Sequence, residues 1–156
     1  MAIKHKEIKS FLTRNKIFAV DTMLFIYHFE DHARYAPVTN MLFESWESGK
    51  NTGITSVITL LEILVKPRRD ENWEAARDYK DLLLTFPNLQ LVPLESECAD
   101  LASDLRARYG IRTPDALQVA SALFHSATAF VTNEDQLKQI SELEILLLDD
   151  FLSKKS

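Results

Sequence analysis

The feature that most constrains the fold is the run Ile17 to Tyr27, IFAVDTMLFIY, in which β-branched and aromatic residues are broken by a single carboxylate, Asp21. A strand exposed on one face alternates apolar and polar residues, whereas a strand covered on both faces, as in a parallel sheet, reads as an unbroken apolar run. IFAV is of the second kind and places Asp21 at its carboxyl end. Ligands of open α/β sheets bind in the crevice beyond the strands' carboxyl ends, so an acid there is a stronger functional candidate than one on a solvated helix face.

The rest of the chain alternates helix and strand signals. Ile8, Phe11 and Leu12 among lysines predict an amphipathic helix over residues 3 to 14, lying on the domain or on a partner. Further strands are expected at Asn51 to Thr55, Leu89 to Val92, Ala129 to Thr132 and Ile145 to Leu148. Between them the spacing predicts helices over Met23 to Phe29 and Pro37 to Ser48. Another, capped by Ser56, is stopped by Pro67, and a long one capped by Asn72 ends before Pro87. Glu95 to Tyr109 is closed by Gly110, and Glu134 to Ile140 is a short helix. Thr113, Pro114 and Asp115 form a helix start, with Thr113 as cap, and the following DALQVASALFHSA is apolar all round and therefore buried. The alternation predicts an α/β fold with a parallel or mostly parallel sheet and helices on both faces.

With 156 residues the chain is expected to form one domain, residues 1–156, without staples. One cysteine, Cys98, forms no internal disulfide and removes cysteine-based zinc and redox chemistry. The three glycines are isolated from one another, which excludes the glycine-rich cradles of dinucleotide and P-loop sites. The first sixteen residues lack the apolar core of a signal peptide, and no run approaches the ~20 apolar residues of a membrane span, so a cytoplasmic location is expected. A formal charge of −5 argues against bulk-charge adhesion to nucleic acid, but divalent cations at a carboxylate cluster reverse the local field.

Four acids interrupt apolar surroundings near an element's start or end: Asp21, Glu62 within VITLLEILV, Asp115 and Glu134. A lone buried acid is commonly a structural group paired with an arginine or a backbone amide. Four on one sheet edge would repel one another unless protons or a cation neutralised them. An all-oxygen set suits Mg²⁺ or Mn²⁺ rather than zinc, and such ions activate water and stabilise charge during displacement at phosphorus.

VDTMLFIY, TSVITLLEIL, YGIRTPDALQVASAL and FVTNEDQL, in that order and spacing, resemble the four signature blocks of PIN-domain nucleases, most closely the toxin members of the VapC type. The resemblance covers Ile17 to Leu148, taken as the core (residues 17–148), with residues 1–16 as an N-terminal helical extension. It implies a three-layer α/β/α sandwich with a four- to five-stranded sheet, Mg²⁺ or Mn²⁺ dependence, endonucleolytic cleavage of RNA, a homodimer and a cognate antitoxin. The family's four acids fall on Asp21, Glu62, Asp115 and Glu134. Metal would be held by Asp21, Asp115 and Glu134, with Glu62 as ligand or orienter and Thr22, Ser56, Thr132 and Asn133 as supporting donors. Two departures stand out. Met23 replaces a small polar residue two positions after the first acid, and TNED supplies Glu134, with Asp135 beside it, where Asp is common.

Lys66, Arg68 and Arg69, near Trp73, and Arg106, Arg108 and Arg112, leading toward Asp115, are candidates for holding RNA phosphates, with Trp73 available for base stacking. The alternatives are a helix carboxyl end complemented by cations and a solvated surface. His28 and His32 stand four apart, but HFEDH lacks the acid of a zinc-protease motif and no third ligand is evident. A phosphoryl acceptor of the dehalogenase type expects a second Asp where Met23 stands, and a receiver domain expects paired acids and a late lysine. Within the resemblance, the rivals to a toxin are a housekeeping RNA-processing nuclease and a non-catalytic RNA-binding or scaffold module.

Overall fold

A computed structural model describes residues 2–153. Five strands, β1 (Ile17–Val20), β2 (Thr52–Ser56), β3 (Leu89–Val92), β4 (Ala129–Thr132) and β5 (Glu144–Leu147), form one sheet in the order β3-β2-β1-β4-β5. Every pairing is parallel, so the expected α/β architecture is realised in its fully parallel form. The central β1 pairs Ile17 with Thr52 on one side and Phe18 with Ala129 on the other.

Parallel strands need crossovers, and the helices that supply them cover both faces. Phe18, Val20, Ala129 and Val131 share one core with α1 (His5–Arg14), α2 (Thr22–Phe29), α3 (Ala36–Glu47), α4 (Val57–Arg69) and α5 (Trp73–Thr85). The intervening positions Ala19, Ile54, Val92 and Phe130 point the other way, into a second core with α6 (Ser96–Tyr109) and α7 (Thr113–Phe124). This two-sided burial explains why IFAV carries no polar alternation. α1 lies on the domain: Ile8 and Phe11 are fully buried, and Phe11 meets Phe18 and Phe151 edge to face. Gly53 is required by packing, since a Cβ there would come within 2.6 Å of Trp46 Cζ2.

Several local signals operate as read. Ser56 Oγ accepts from Ile58 N at 3.1 Å, Asn72 Oδ1 accepts from Ala75 N at 3.1 Å, and Gly110 closes α6 at φ 67°. Others require correction. Pro67 does not stop α4, which runs on to Arg69. Proline forfeits one hydrogen bond near the helix end, and this one is buried, ahead of Arg68 and Arg69, which complement the carboxyl terminus. Thr113 is the first helical residue of α7 rather than its cap; Arg112 occupies the cap position and makes no side-chain capping bond. The short helix expected after β4 is present as a 3₁₀ turn over Asp135–Gln139. Among the described residues no helix is long and apolar enough to cross a membrane.

Candidate active site

Parallel topology brings the carboxyl ends of β1, β2 and β4 to one edge. The Asp21 amide donates to Val131 O at 2.9 Å, extending the β1–β4 ladder one residue past β1 and fixing this acid against β4. Asp21 takes the N-cap position of α2, yet its carboxylate makes no capping bond. It accepts instead from Thr132 Oγ1 at 2.8 Å, and that hydroxyl accepts from the Glu134 amide at 3.0 Å. The end of β4 therefore positions two acids through one threonine.

Asp115 lies in the first turn of α7, where the helix dipole favours a negative charge, and is buried. Glu62, in the second turn of α4, accepts from Thr22 Oγ1 at 2.8 Å. Asp21, Glu62, Asp115 and Glu134 line one cavity of about 290 Å³ together with Thr22, Met23, Ile26 and Arg112. Met23, standing where a small polar residue is common, is apolar lining, 42% exposed. Burial pushes the Asp21 carboxyl up to about 6 against the Thr132 hydrogen bond, and the charges of Asp115 and Glu62 push it further in the same direction.

Arg112 is the cation that faces these acids, with its Nε 3.3 Å from Asp115 Oδ2. The charge of Asp115, the hydrogen bond to it, and the charges of Glu134 and Asp21 hold the guanidinium protonated more firmly than usual. The other arginines of that run have different partners. Arg106 Nε donates to Ile111 O at 2.9 Å, bracing the α6–α7 turn, and Arg108 pairs with Asp104 and Glu142. Lys66, Arg68 and Arg69 sit exposed in the last turn of α4, with Lys66 beside Glu62 in an adjoining groove, and Trp73 is 58% exposed. The histidines serve structure: His28 Nδ1 faces Thr39 Oγ1 at 3.4 Å, and His32 Nδ1 accepts from the Arg34 amide at 3.2 Å.

Of the supporting donors, Thr22 and Thr132 contact acids directly. Ser56 donates to Gln118 Oε1 at 2.9 Å rather than to an acid. Asn133 Oδ1 is buried without a hydrogen-bond partner. The residues that the sequence reading missed are Gln118, Thr59 and Thr55, which connect Thr22 to Ser56 in a buried polar network. The available signal was Gln118 itself, an amide set in an otherwise apolar helix.

The donor set suits a hard divalent cation: four carboxylates, an unpartnered amide oxygen next to Glu134 in sequence, and a buried Asp21 whose ionisation needs compensation. The fit is chemical rather than preformed. Among the described residues no three His, Cys, Asp or Glu side chains are grouped closely enough to hold an ion. Binding would have to draw the acids inward and move Arg112 from Asp115.

The same fold occurs in solved structures, one of them a toxin–antitoxin complex from Klebsiella pneumoniae. VapBC2 from Rickettsia felis, bound to a DNA fragment from its promoter, aligns with TM-score 0.64 and 22% identity over 84% of this chain and 98% of that one. FitAB bound to the IR36 DNA fragment aligns with TM-score 0.66 and 16% identity, covering 84% and 94%. VapBC-1 from nontypeable Haemophilus influenzae gives TM-score 0.63 and 17% identity, covering 85% and 98%. No curated protein matches the chain in sequence. The family model of the PIN domain matches residues 18–143, from β1 through β4 with the crossovers between them, and the chain belongs to the PIN-domain family.

Proposed function

We propose that the protein is a metal-dependent endoribonuclease and the toxin of a toxin–antitoxin pair. The observation that carries this reading is the convergence of Asp21, Glu62, Asp115 and Glu134, from four separate parts of the chain, on one cavity at the carboxyl edge of the sheet. The toxin–antitoxin systems among the structures that share the fold support the toxin assignment. Asp21, Asp115 and Glu134 would hold Mg²⁺ or Mn²⁺, with Glu62 as ligand or orienter. The ion, when bound, supplies activation of water and neutralisation of charge at phosphorus.

The chain's own groups account for the rest. Thr132 orients Asp21, and Thr22 orients Glu62, so two carboxylates keep a fixed direction while substrate enters. Arg112, exposed at the rim, would leave Asp115 for a backbone phosphate. Lys66, Arg68 and Arg69 would guide the strand, with Trp73 as a stacking surface. The groove beside the cavity, lined by Ile26, Glu62, Ile63, Lys66 and Tyr79, suits an amphipathic antitoxin helix that presses a basic side chain toward the acids. A homodimer and a cytoplasmic location belong to the same proposal.

Purified protein should cleave RNA internally in Mg²⁺ or Mn²⁺. Asp21→Asn and Asp115→Asn should each abolish cleavage while leaving the far-ultraviolet circular dichroism intact. Substantial activity in either folded variant would overturn the mechanism. Expression alone should slow growth, and a cognate partner should relieve it; harmless expression of an active nuclease would point to RNA processing instead.

A further inference from the structure

Gln118 lies on α7 one turn beyond Asp115, 4% exposed, and its carboxamide touches three other elements. Its Oε1 accepts from Ser56 Oγ at 2.9 Å, at the end of β2. Its Nε2 donates to Thr22 Oγ1 of α2 at 3.0 Å and to Thr59 Oγ1 of α4 at 2.8 Å. Thr55 Oγ1 donates to Thr59 Oγ1 at 2.8 Å, Thr59 Oγ1 lies 3.1 Å from Thr22 Oγ1, and Thr22 Oγ1 donates to Glu62 Oε1 at 2.8 Å.

Counting protons leaves the network one direction. A hydroxyl has one donor and two acceptor sites. The acceptor sites of Thr59 are filled by Gln118 and Thr55, so its proton is left for Thr22. The acceptor sites of Thr22 are then filled by Gln118 and Thr59, so its proton is left for Glu62. Reversing the Thr59–Thr22 link would leave the proton of the buried Thr59 without an acceptor. The Glu62 carboxylate only accepts, so it takes the Thr22 proton; the amide then turns its N–H groups to Thr22 and Thr59 and its Oε1 to the Ser56 hydroxyl.

We propose that Gln118 is a positioning residue for Glu62: its amide sets the polarity of the Thr59–Thr22 relay, so that Glu62 is held by one oxygen at the cavity wall. The catalytic consequence rests on the nuclease reading; the positioning itself does not. The residue acts through Thr22 and contacts no substrate.

Two variants test it. Gln118→Met keeps length and removes all hydrogen bonding, and Gln118→Glu keeps the acceptor for Ser56 but removes both N–H donors. The single-turnover rate at saturating RNA should fall roughly 10-fold in each folded variant, with RNA affinity unchanged. In a Thr22→Val background Gln118→Met should cost nothing further, since the relay is already cut. In metal-free protein the ¹³Cδ resonance of Glu62 should move in Thr22→Val and in both Gln118 variants. An unchanged rate, a fully additive loss or an unmoved Glu62 resonance would overturn the proposal. Wild-type protein that fails to cleave RNA would remove the nuclease reading, and the Glu62 resonance would still decide the positioning. Should Gln118→Met fail to fold, Gln118→Glu carries the test.

Discussion

Arg112 Nε stands 3.3 Å from Asp115 Oδ2, which puts a positive charge at the mouth of a cavity lined by four carboxylates. The arginine side chain is 70% exposed and its partner 12%, so the pair joins an exposed cation to a largely buried anion. In metal-free protein that cation offsets part of the repulsion which a divalent ion would otherwise neutralise. Arg112→Gln should therefore tighten Mn²⁺ binding by isothermal titration while weakening RNA binding and reducing its salt dependence. Weaker Mn²⁺ binding in this variant would mean that Arg112 supports the ion site rather than competing with the ion.

Asp21 predicts a pH dependence of metal-free stability. Its carboxyl titrates near 6 in the folded protein against 3.8 as the reference value, so the native state holds this proton more tightly than the unfolded chain. Stability from this group is full below pH 3.8 and is lost as the pH rises through 6, a change of roughly 3 kcal/mol. His28, lowered by burial, and Glu142, held down to about 2 by Arg108, give slopes of the opposite sign, which cancel in a difference between variants. Asp21→Asn should match wild type near pH 4 and exceed it at pH 7 in urea unfolding with chelator present. A constant difference across that range would place the Asp21 carboxylate in a solvated setting.

Metal should reverse that penalty. Mn²⁺ at about 100 times its dissociation constant stabilises a one-site native state by ~2.7 kcal/mol if the unfolded chain does not bind. Asp115→Asn should lose most of the rise in melting temperature. Equal shifts in both proteins would show that the ion binds elsewhere.

Asp21 was legible because a buried parallel strand and the acid that ends it are both local features of sequence. The sheet itself was legible for the same reason: five short apolar runs separated by helical periods admit few arrangements other than a parallel sheet covered on both faces. The Gln118 network was not, since its partners Ser56, Thr59 and Thr22 come from β2, α4 and α2, and nothing in their spacing encodes contact. Arg106 and Arg108 show the converse. They precede Asp115 closely in sequence, but Arg106 is engaged by Ile111 O and Arg108 by Asp104 and Glu142, contacts that sequence proximity does not reveal. Pro67 was misread because it is buried one turn from the helix end, where only one hydrogen bond is lost, and Thr113 because a helix end read from sequence is uncertain by a residue.

Which residue of Asn133-Glu134-Asp135 completes the site follows from the end of β4. The Glu134 amide is tied to Thr132 Oγ1 at 3.0 Å, and Thr132 in turn holds Asp21, so Glu134 leaves the strand at a fixed angle and lines the cavity. Asp135 opens the 3₁₀ turn on exposed surface and is not among the cavity residues. Glu134 is itself exposed and one methylene longer than Asp, so its hold on an ion would be looser than that of the buried Asp115. Glu134→Gln should therefore reduce cleavage more than Asp135→Asn, neither should match the loss in Asp115→Asn, and Glu134→Asp should keep activity. Single-turnover cleavage across a Mn²⁺ titration separates these cases, because a weakened ligand is rescued by higher metal and a missing one is not. A larger loss from Asp135→Asn would assign the fourth acid to Asp135 and require the 3₁₀ turn to unwind when the ion binds.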